Sequence, residues 1–302
     1  METFQANLRV RKKSDFLFKV SAILLLIFLL VTLLALLLDL AWTGVPRLSY
    51  AFLTEFPSRL PSRAGILSAW VGSLCVMLVT AACSIPLGVA AGIYLEEYAP
   101  KNWVTSFIEL NIVNMAGIPS ITFGLMSLSL FVYKFNFGQS IMTAGLTLGL
   151  LVLPIVIVST REALRTIPSP IREAAYAVGA SKWQVIQHHL VPYSTGGILT
   201  GVIISLSRAI GETAPIITIG ALTFIAFLPT SPVKAEAPFV TGQWLWDPFT
   251  VLPIQMFNWV SRPQAEFHVN AAATGLILLL MTLLMNGIAI FLRNHYRRKI
   301  RW

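Results

Sequence analysis

The chain has 302 residues, of which 56% are hydrophobic and only 12% charged, with a formal net charge of +9. A soluble globular domain carries about 25% charged residues, so the composition excludes an ordinary soluble domain and predicts an integral membrane protein. The positive balance does not point to nucleic acid, because the Lys and Arg residues cluster beside apolar runs, where they act as topology signals.

In chain order, residues 1–19 hold Arg9, Arg11, Lys12, Lys13 and Lys19, and an uncharged run from Val20 to Leu38 follows. That run can cross a bilayer. It exceeds a signal-peptide core and lacks a small-residue cleavage site, so it is expected to be a retained first helix. Residues 39–65 read as a polar external loop. The stretch Ala64 to Leu95 holds a second helix, with Gly88 and Gly92 giving a small-residue face for close packing. Leu110 to Tyr133 forms a third span, in which Gly117 and Pro119 weaken the helix and are candidate kink or gate positions. Phe135 to Thr160 supplies a fourth span containing Pro154. A fifth runs from near Tyr193 to about Leu228, and Val269 to Leu292 is the sixth. Between them lies the longest external segment, 229–270. Its Trp244, Trp246 and Trp259 are expected in an interfacial belt, and a short amphipathic piece is expected around 252–260.

Six spans place both termini on one side. Fifteen of the 22 Lys and Arg residues fall on that side and six on the other, with Arg208 inside a span. Arg161, Arg165, Arg172 and Lys182 are counted in the loop on the terminal side, and Arg47 and Lys234 on the other. The excess assigns both termini and the 172–192 loop to the cytoplasm. Cys75 and Cys83 share one apolar run and suggest neither a disulfide framework nor a metal motif. His188, His189, His268 and His295 lack metal-ligand spacing. No Gly-x-x-x-x-Gly-Lys-Ser/Thr occurs, so ATP is not expected to bind this chain.

The polar island at 172–192 reads R-E-A-A-Y-A-V-G-A-S-K-W-Q-V-I-Q-H-H-L-V-P. Pro170 suits a helix start, and Glu173 is expected in the first turn, where the helix dipole favours an anion. Gly179 can end that helix in a left-handed conformation. Ser181 can cap a second short helix, Lys182 to Leu190, and Pro192 marks the next boundary. The small residues Ala174, Ala175 and Ala177 are expected to let another protein approach closely. This stretch resembles the E-A-A loop of permease subunits in bacterial ABC importers. Glu173, Ala174, Ala175, Gly179 and Pro192 match its spacing, while His189 and Val191 stand where that family has Ile and Leu. The resemblance implies that the loop, about 162–192, docks into a cleft on a separate ATPase subunit, which carries ATP and Mg.

The fifth span contains S-R-A-I-G-E-T-A-P at 207–215. Counted from Ser194, Arg208 lies about 21 Å along the helix at 1.5 Å per residue, well inside the hydrocarbon. An arginine there costs several kcal/mol unless paired or wetted. Glu212, four residues on, can supply the counter-charge. Pro215 lacks an N–H and crowds the carbonyl of Gly211, so a kink is expected just past Arg208. A kink beside a charge suits a gate or binding constriction; a buried ion pair that only orders the bundle is the plainer alternative.

The same motif, with Y-L-E-E-Y-A-P at 94–100 and A-G-I-P-S-I-T-F-G at 116–124, resembles the permease subunits of phosphate-specific ABC importers. The stretch L-P-I-Q-M-F-N-W-V-S-R-P-Q-A-E-F at 252–267 is similar to the A-type subunit rather than its C-type paralogue. The resemblance covers most of residues 64–301. It implies an all-α integral membrane protein of six transmembrane helices with the type I, MetI-like permease architecture. Residues 1–63 would form the N-terminal cytoplasmic segment, first helix and external loop, and 64–302 the permease core. It further implies a bacterial inner-membrane protein with both termini cytoplasmic. Its expected partners are a C-type permease subunit, a homodimeric ATPase subunit, a periplasmic phosphate-binding protein, inorganic phosphate and the lipid bilayer. Arg208, Glu212 and Thr213 would line the substrate path, with Gly211 and Pro215 forming a gate. No cofactor, metal or catalytic residue is expected on this chain. The alternatives are a permease for a related oxyanion or phosphonate, an ion-coupled secondary transporter with its own midplane charges, or an intramembrane enzyme or scaffold, which no catalytic constellation supports.

Overall fold

The computed structural model describes residues 2–232 and 241–298; Lys234, counted above among the external charges, and the tail beyond Arg298 lie outside them. The helices are α1 (Glu2–Gly44), α2 (Tyr50–Thr54), α3 (Leu67–Ile93), α4 (Trp103–Met115), α5 (Ser120–Ser127), α6 (Ile141–Arg165), α7 (Ser169–Ala177), α8 (Lys182–Val185), α9 (Val191–Gly211), α10 (Ala214–Thr218), α11 (Leu252–Val260) and α12 (Ala265–Arg298). Three wider π-helical turns extend them, at Tyr94–Tyr98 after α3, Leu128–Lys134 after α5 and Ile186–Leu190 between α8 and α9. No strand occurs among the described residues.

Five helical stretches are each long and apolar enough to cross a membrane, and α4 with α5 and its extension form a sixth candidate bent by 105°. The contacts at its two ends show that this bent pair crosses. Glu109 on α4 pairs with Arg161 near the C-terminal end of α6. At the far end, the Phe137 ring stacks edge-on against Trp246, and the Ile141 N–H, at the start of α6, donates to the carbonyl of Asp247. The pair therefore runs from one end of α6 to the other. Six crossings put the start of α1 and the end of α12 on one face, the terminal face. Consistently, α1 and α12 run antiparallel, with Gly44 against Ala272 and Ala273 and Leu40 beside Gly275.

Lipid offers no hydrophobic drive between spans, so close packing of small residues holds them together. The α3–α6 contact shows this. Gly88 lies against Val156, Gly92 against Thr160 and Gly145 against Val79. The Thr80 hydroxyl lies 2.9 Å from the Val76 carbonyl and 3.2 Å from that of Gly145. Around this seam Val76, Leu148, Val152, Ile210, Ile216 and Phe249 form the main core. A second core on the opposite face joins Phe52, Ile66, Leu252, Trp259 and Phe267. By contrast the apolar window of α1 is nowhere buried within the chain, and α1 packs chiefly along α12.

The structure corrects several boundaries. The third span is not one helix from Leu110; its first helix starts at Trp103, capped by Asn102, whose Oδ1 accepts from the Thr105 N–H at 2.9 Å. The fifth span does not reach Leu228, because helix ends at Gly211 and resumes only for the five residues of α10. Trp259 is not in an interfacial belt but fully buried in the opposite-face core. Arg47 is a brace rather than a free topology signal: it donates to Asn270 and to the carbonyls of Pro61, Ser62 and Ala64. Arg161 and Arg165 lie in the last turns of α6, not in the loop.

Candidate functional site

On the terminal face α7 and α8 form a helix pair joined by a sharp turn. Gly179 has φ +84°. The Gly179 N–H bonds the Tyr176 carbonyl and the Ala180 N–H that of Ala175, the double closure of a Schellman C-terminus. Ser181 then opens α8 with a capping box: its Oγ accepts from the Gln184 N–H at 3.4 Å, and Gln184 Oε1 accepts from the Ser181 N–H at 2.8 Å. Beneath the pair Leu164, Ile167, Ala175, Val185, Ile186 and Leu190 make a small core.

Three expectations for this loop change. Glu173 is the fifth residue of α7, past its first turn, because the helix starts at Ser169. Ala175 faces the small core, so it supports the pair from within, while Glu173, Ala174 and Ala177 stay exposed. Pro192 does not break the chain into a new element. The π turn at 186–190 widens the backbone ahead of it, which relieves the missing N–H and the crowding that a proline imposes on the preceding turn, and helix continues from Lys182 to Gly211. The outward surface of the pair presents Tyr176, Val178 and Trp183.

The π turn after α3 is tied to this pair by charges that residue spacing alone did not reveal. Glu96 Oε2 lies 2.9 Å from Arg165 Nε and 3.5 Å from Arg161 Nε. Arg161 Nη2 reaches Glu109 Oε1 on α4 at 2.5 Å, and Arg165 Nη1 reaches Glu162 at 3.1 Å. Glu97 Oε1 takes Arg172 of α7 at 3.0 Å, and Arg172 also donates to the carbonyls of Ile167 and Leu164. Lys182 sits 4.9 Å from the centre of the Tyr98 ring. A cleft of about 490 Å³ opens beside Glu96, Lys101, Glu109, Arg161 and Arg165. The only prior signal was the Glu96-Glu97 doublet and the i, i+4 spacing of Arg161 and Arg165.

Deeper in the bundle, α9 ends at Gly211 and the backbone breaks. Glu212 is extended (φ −74°, ψ 124°), and Pro215 sits in the first turn of α10. The expected kink is thus a full interruption, since Pro215 starts a new helix rather than bending an old one. The pairing survives the break: Arg208 Nε donates to Glu212 Oε1 at 3.2 Å. Arg208 is 40% exposed and Glu212 17%. Among the described residues Arg208 forms no other hydrogen bond. Thr213 does not join them; with Gly211 and Ile217 it lines a separate cleft of about 500 Å³ against α11 and α12. Glu212 instead edges a narrow cavity with Ser73 and Leu148. The other break, at 116–119 with Gly117 and Pro119, separates α4 from α5. The helices that follow the two breaks, α5 and α10, touch through Gly124, where a Cβ would collide with the Thr218 hydroxyl and lie 2.7 Å from Pro215 Cα. No cluster of metal-ligating side chains occurs among the described residues.

Residues 84–302 match the family described as binding-protein-dependent transport system inner membrane component. The chain is 30% identical over 262 residues to a probable ABC transporter permease protein, YqgI, of Bacillus subtilis, covering 85% of this chain and 87% of that one. It is 33% identical over 248 residues to the phosphate transport system permease protein PstA of Yersinia pestis, covering 82% and 78%. Among solved structures, the fold matches a chain of a bacterial alginate ABC transporter with TM-score 0.65 at 13% identity, covering 92% of this chain and 93% of that one. A chain of the inward-facing MetNI methionine ABC transporter gives 0.57 at 16% identity, covering 74% and 93%.

Proposed function

The chain belongs to the family of inner membrane components of binding-protein-dependent transport systems, and from that membership we propose that it is the A-type permease subunit of an ATP-driven importer of inorganic phosphate. It is a multi-pass inner-membrane protein and a transport component. In this reading a C-type permease completes the translocation path, a homodimeric ATPase binds the α7–α8 pair, and a periplasmic phosphate-binding protein delivers the ion to the opposite face. The terminal face is then cytoplasmic.

The observation that carries the substrate assignment is the Arg208 guanidinium. It is held by Glu212 through Nε, at the break that ends the spanning helix α9, with its other donors without a hydrogen bond among the described residues. A planar multi-donor cation suits a tetrahedral oxyanion, and the attached Glu212 keeps the site from holding that anion too tightly. The Pst-type relatives support phosphate over other anions. In the coupling step Glu173, Ala174, Ala175, Gly179 and Pro192 shape and present the docking pair, and closure of the ATPase dimer moves it. The breaks at Gly117/Pro119 and Gly211/Pro215 act as gates, and Thr213 extends the path from the break.

The test is uptake of radiolabelled phosphate by proteoliposomes containing the co-purified subunits. ATP-dependent uptake that excess phosphate suppresses and sulfate, molybdate and phosphonates do not is expected. Suppression by one of those competitors instead would reassign the substrate within the same architecture. Uptake that survives ATP depletion but stops when the proton gradient collapses would replace the reading with an ion-coupled carrier.

A further inference from the structure

Resting on the reading above, we propose that the ion-pair cluster at the terminal-face ends of α3 and α6 is a mechanical joint, through which movement of the α7–α8 pair reaches the bent α4–α5 helix and, by it, the Arg208–Glu212 break. The contacts form an unbroken series. Arg172 on α7 and Lys182 on α8 hold Glu97 and Tyr98 of the π turn after α3. The neighbouring Glu96 holds Arg161 and Arg165. Arg161, with its side chain only 7% exposed, passes the link to Glu109 on α4. A π turn suits this task, because its wider winding lets three successive side chains point at three different helices.

The helix on the far side of the joint is built to move. No residue of α4 is buried within this chain, so little packing inside the chain itself resists its displacement. Among the described residues its one ion pair to the bundle is Glu109–Arg161. Past the bend, α5 is seated on α10 through the Gly124 contact with Pro215 and Thr218. Measured from the bend at 1.5 Å per residue, Glu109 lies about 9 Å along α4 from Met115 and Gly124 about 6 Å along α5 from Ser120. A bent lever with these short arms, set at 105°, passes a displacement at Glu109 to the α10 contact at Gly124 at a comparable, somewhat smaller size. Discrete arrangements of packed helices, rather than gradual deformation, are the usual carriers of such coupling.

The assay is the complete reconstituted complex, in which ATP hydrolysis and phosphate uptake are measured together. Glu109→Gln removes the charge of a partly exposed side chain and leaves Arg161 paired with Glu96. Hydrolysis is expected to stay near the parent value while uptake falls about tenfold, so that ATP consumed per phosphate rises by the same factor. Glu109→Asp, which keeps the charge, is expected to recover part of the uptake. Unchanged uptake, or hydrolysis and uptake falling together, would overturn the joint, the second outcome marking a purely structural pair. A second measurement covers poor assembly. Spin labels on cysteines at Ser106 of α4 and Val178 of the helix pair should keep one separation with and without nucleotide in the otherwise unaltered complex, because both belong to one moving unit. A separation that changes with nucleotide would also overturn it. If the parent complex shows no ATP-driven phosphate uptake, the underlying functional reading fails; if it transports and the variants keep its ratio, only the joint fails.

Discussion

Neutralising both members of the pair inside the fifth span, Arg208→Gln with Glu212→Gln, separates a substrate role from a structural one. The pair lies 3.2 Å apart, and Arg208 is 40% exposed in the isolated chain. If water reaches this face, the pair itself contributes only about 0.2–1 kcal/mol. If the face is dry, a lone charge left by a single mutation costs up to about 2.5–3.5 kcal/mol, the figure for a span centre, less here near the end of α9, and removing both charges avoids that cost. In either case the double variant should assemble as well as the parent, and in the dry case better than either single variant. Phosphate uptake should nonetheless be lost, because the path has no positive centre. Arg208→Lys should keep partial activity, since the charge remains without the planar fork. The assays are co-purification of the subunits, nucleotide hydrolysis and radiolabelled uptake. Parent-level uptake by the double variant would refute the reasoning and move the anion contact to another group, such as one on the second permease subunit.

Further outcomes test the docking pair and the supporting core. Gly179→Val forces a β-branched residue to φ +84°; with nothing within 4 Å of the added Cβ, the cost is backbone strain of at least about 1–2 kcal/mol, and ATPase co-purification should weaken while membrane insertion stays normal. Gly179→Asn, which tolerates that conformation, should behave like the parent. Ala175→Phe overfills the core beneath the pair; it should destabilise that region by about 1–3 kcal/mol, visible as faster proteolysis within 166–192 than within α6. Arg47→Ala removes a brace to Asn270 and three carbonyls. A hydrogen bond to a charged group is worth about 1.5–3 kcal/mol, so the 48–66 segment should become protease-sensitive and the thermal midpoint in detergent should fall.

Local features of the docking pair were legible in the sequence because their causes are local. The Gly179 turn and the Ser181 cap depend on residues no more than five positions apart, and both form with the hydrogen bonds that such residues favour. Pro192 misled because proline propensity is a local rule, whereas Ile186 and Leu190 are drawn into the core beneath the pair and hold the helix through it. The six crossings were legible from apolar run lengths, but the 105° bend within the third was not. Gly117 and Pro119 predict weakness, and only the seating of α5 on α10 fixes the angle. The charged cluster was hidden for another reason. Arg161 and Arg165 were counted as loop charges because membrane topology rules read Lys and Arg by position. Their partners, Glu96 and Glu109, lie 52 to 69 residues away and become neighbours only when α3 packs along α6.

The break at Glu212 also constrains what covers this face of the chain. Backbone polar groups outside a helix cannot face hydrocarbon without losing several kcal/mol each, and Glu212 has an extended conformation between two helices. Gly211 beside it is exposed, with no neighbouring atom within 4 Å of a built Cβ. A half-buried, non-helical step beside an exposed helix end and a charged pair is most stable against water or another protein. In the proposed reading, this side of the monomer faces the second permease and a wet path, not lipid. A cysteine introduced as Gly211→Cys in the assembled complex should react with a small charged thiol reagent from the aqueous phase, and phosphate should slow that reaction. The same cysteine in α1, as Leu29→Cys on a stretch exposed along its whole length, should react only with a lipophilic maleimide. Equal protection of both positions from the charged reagent would place the break in lipid and remove the physical basis for a path beside Arg208.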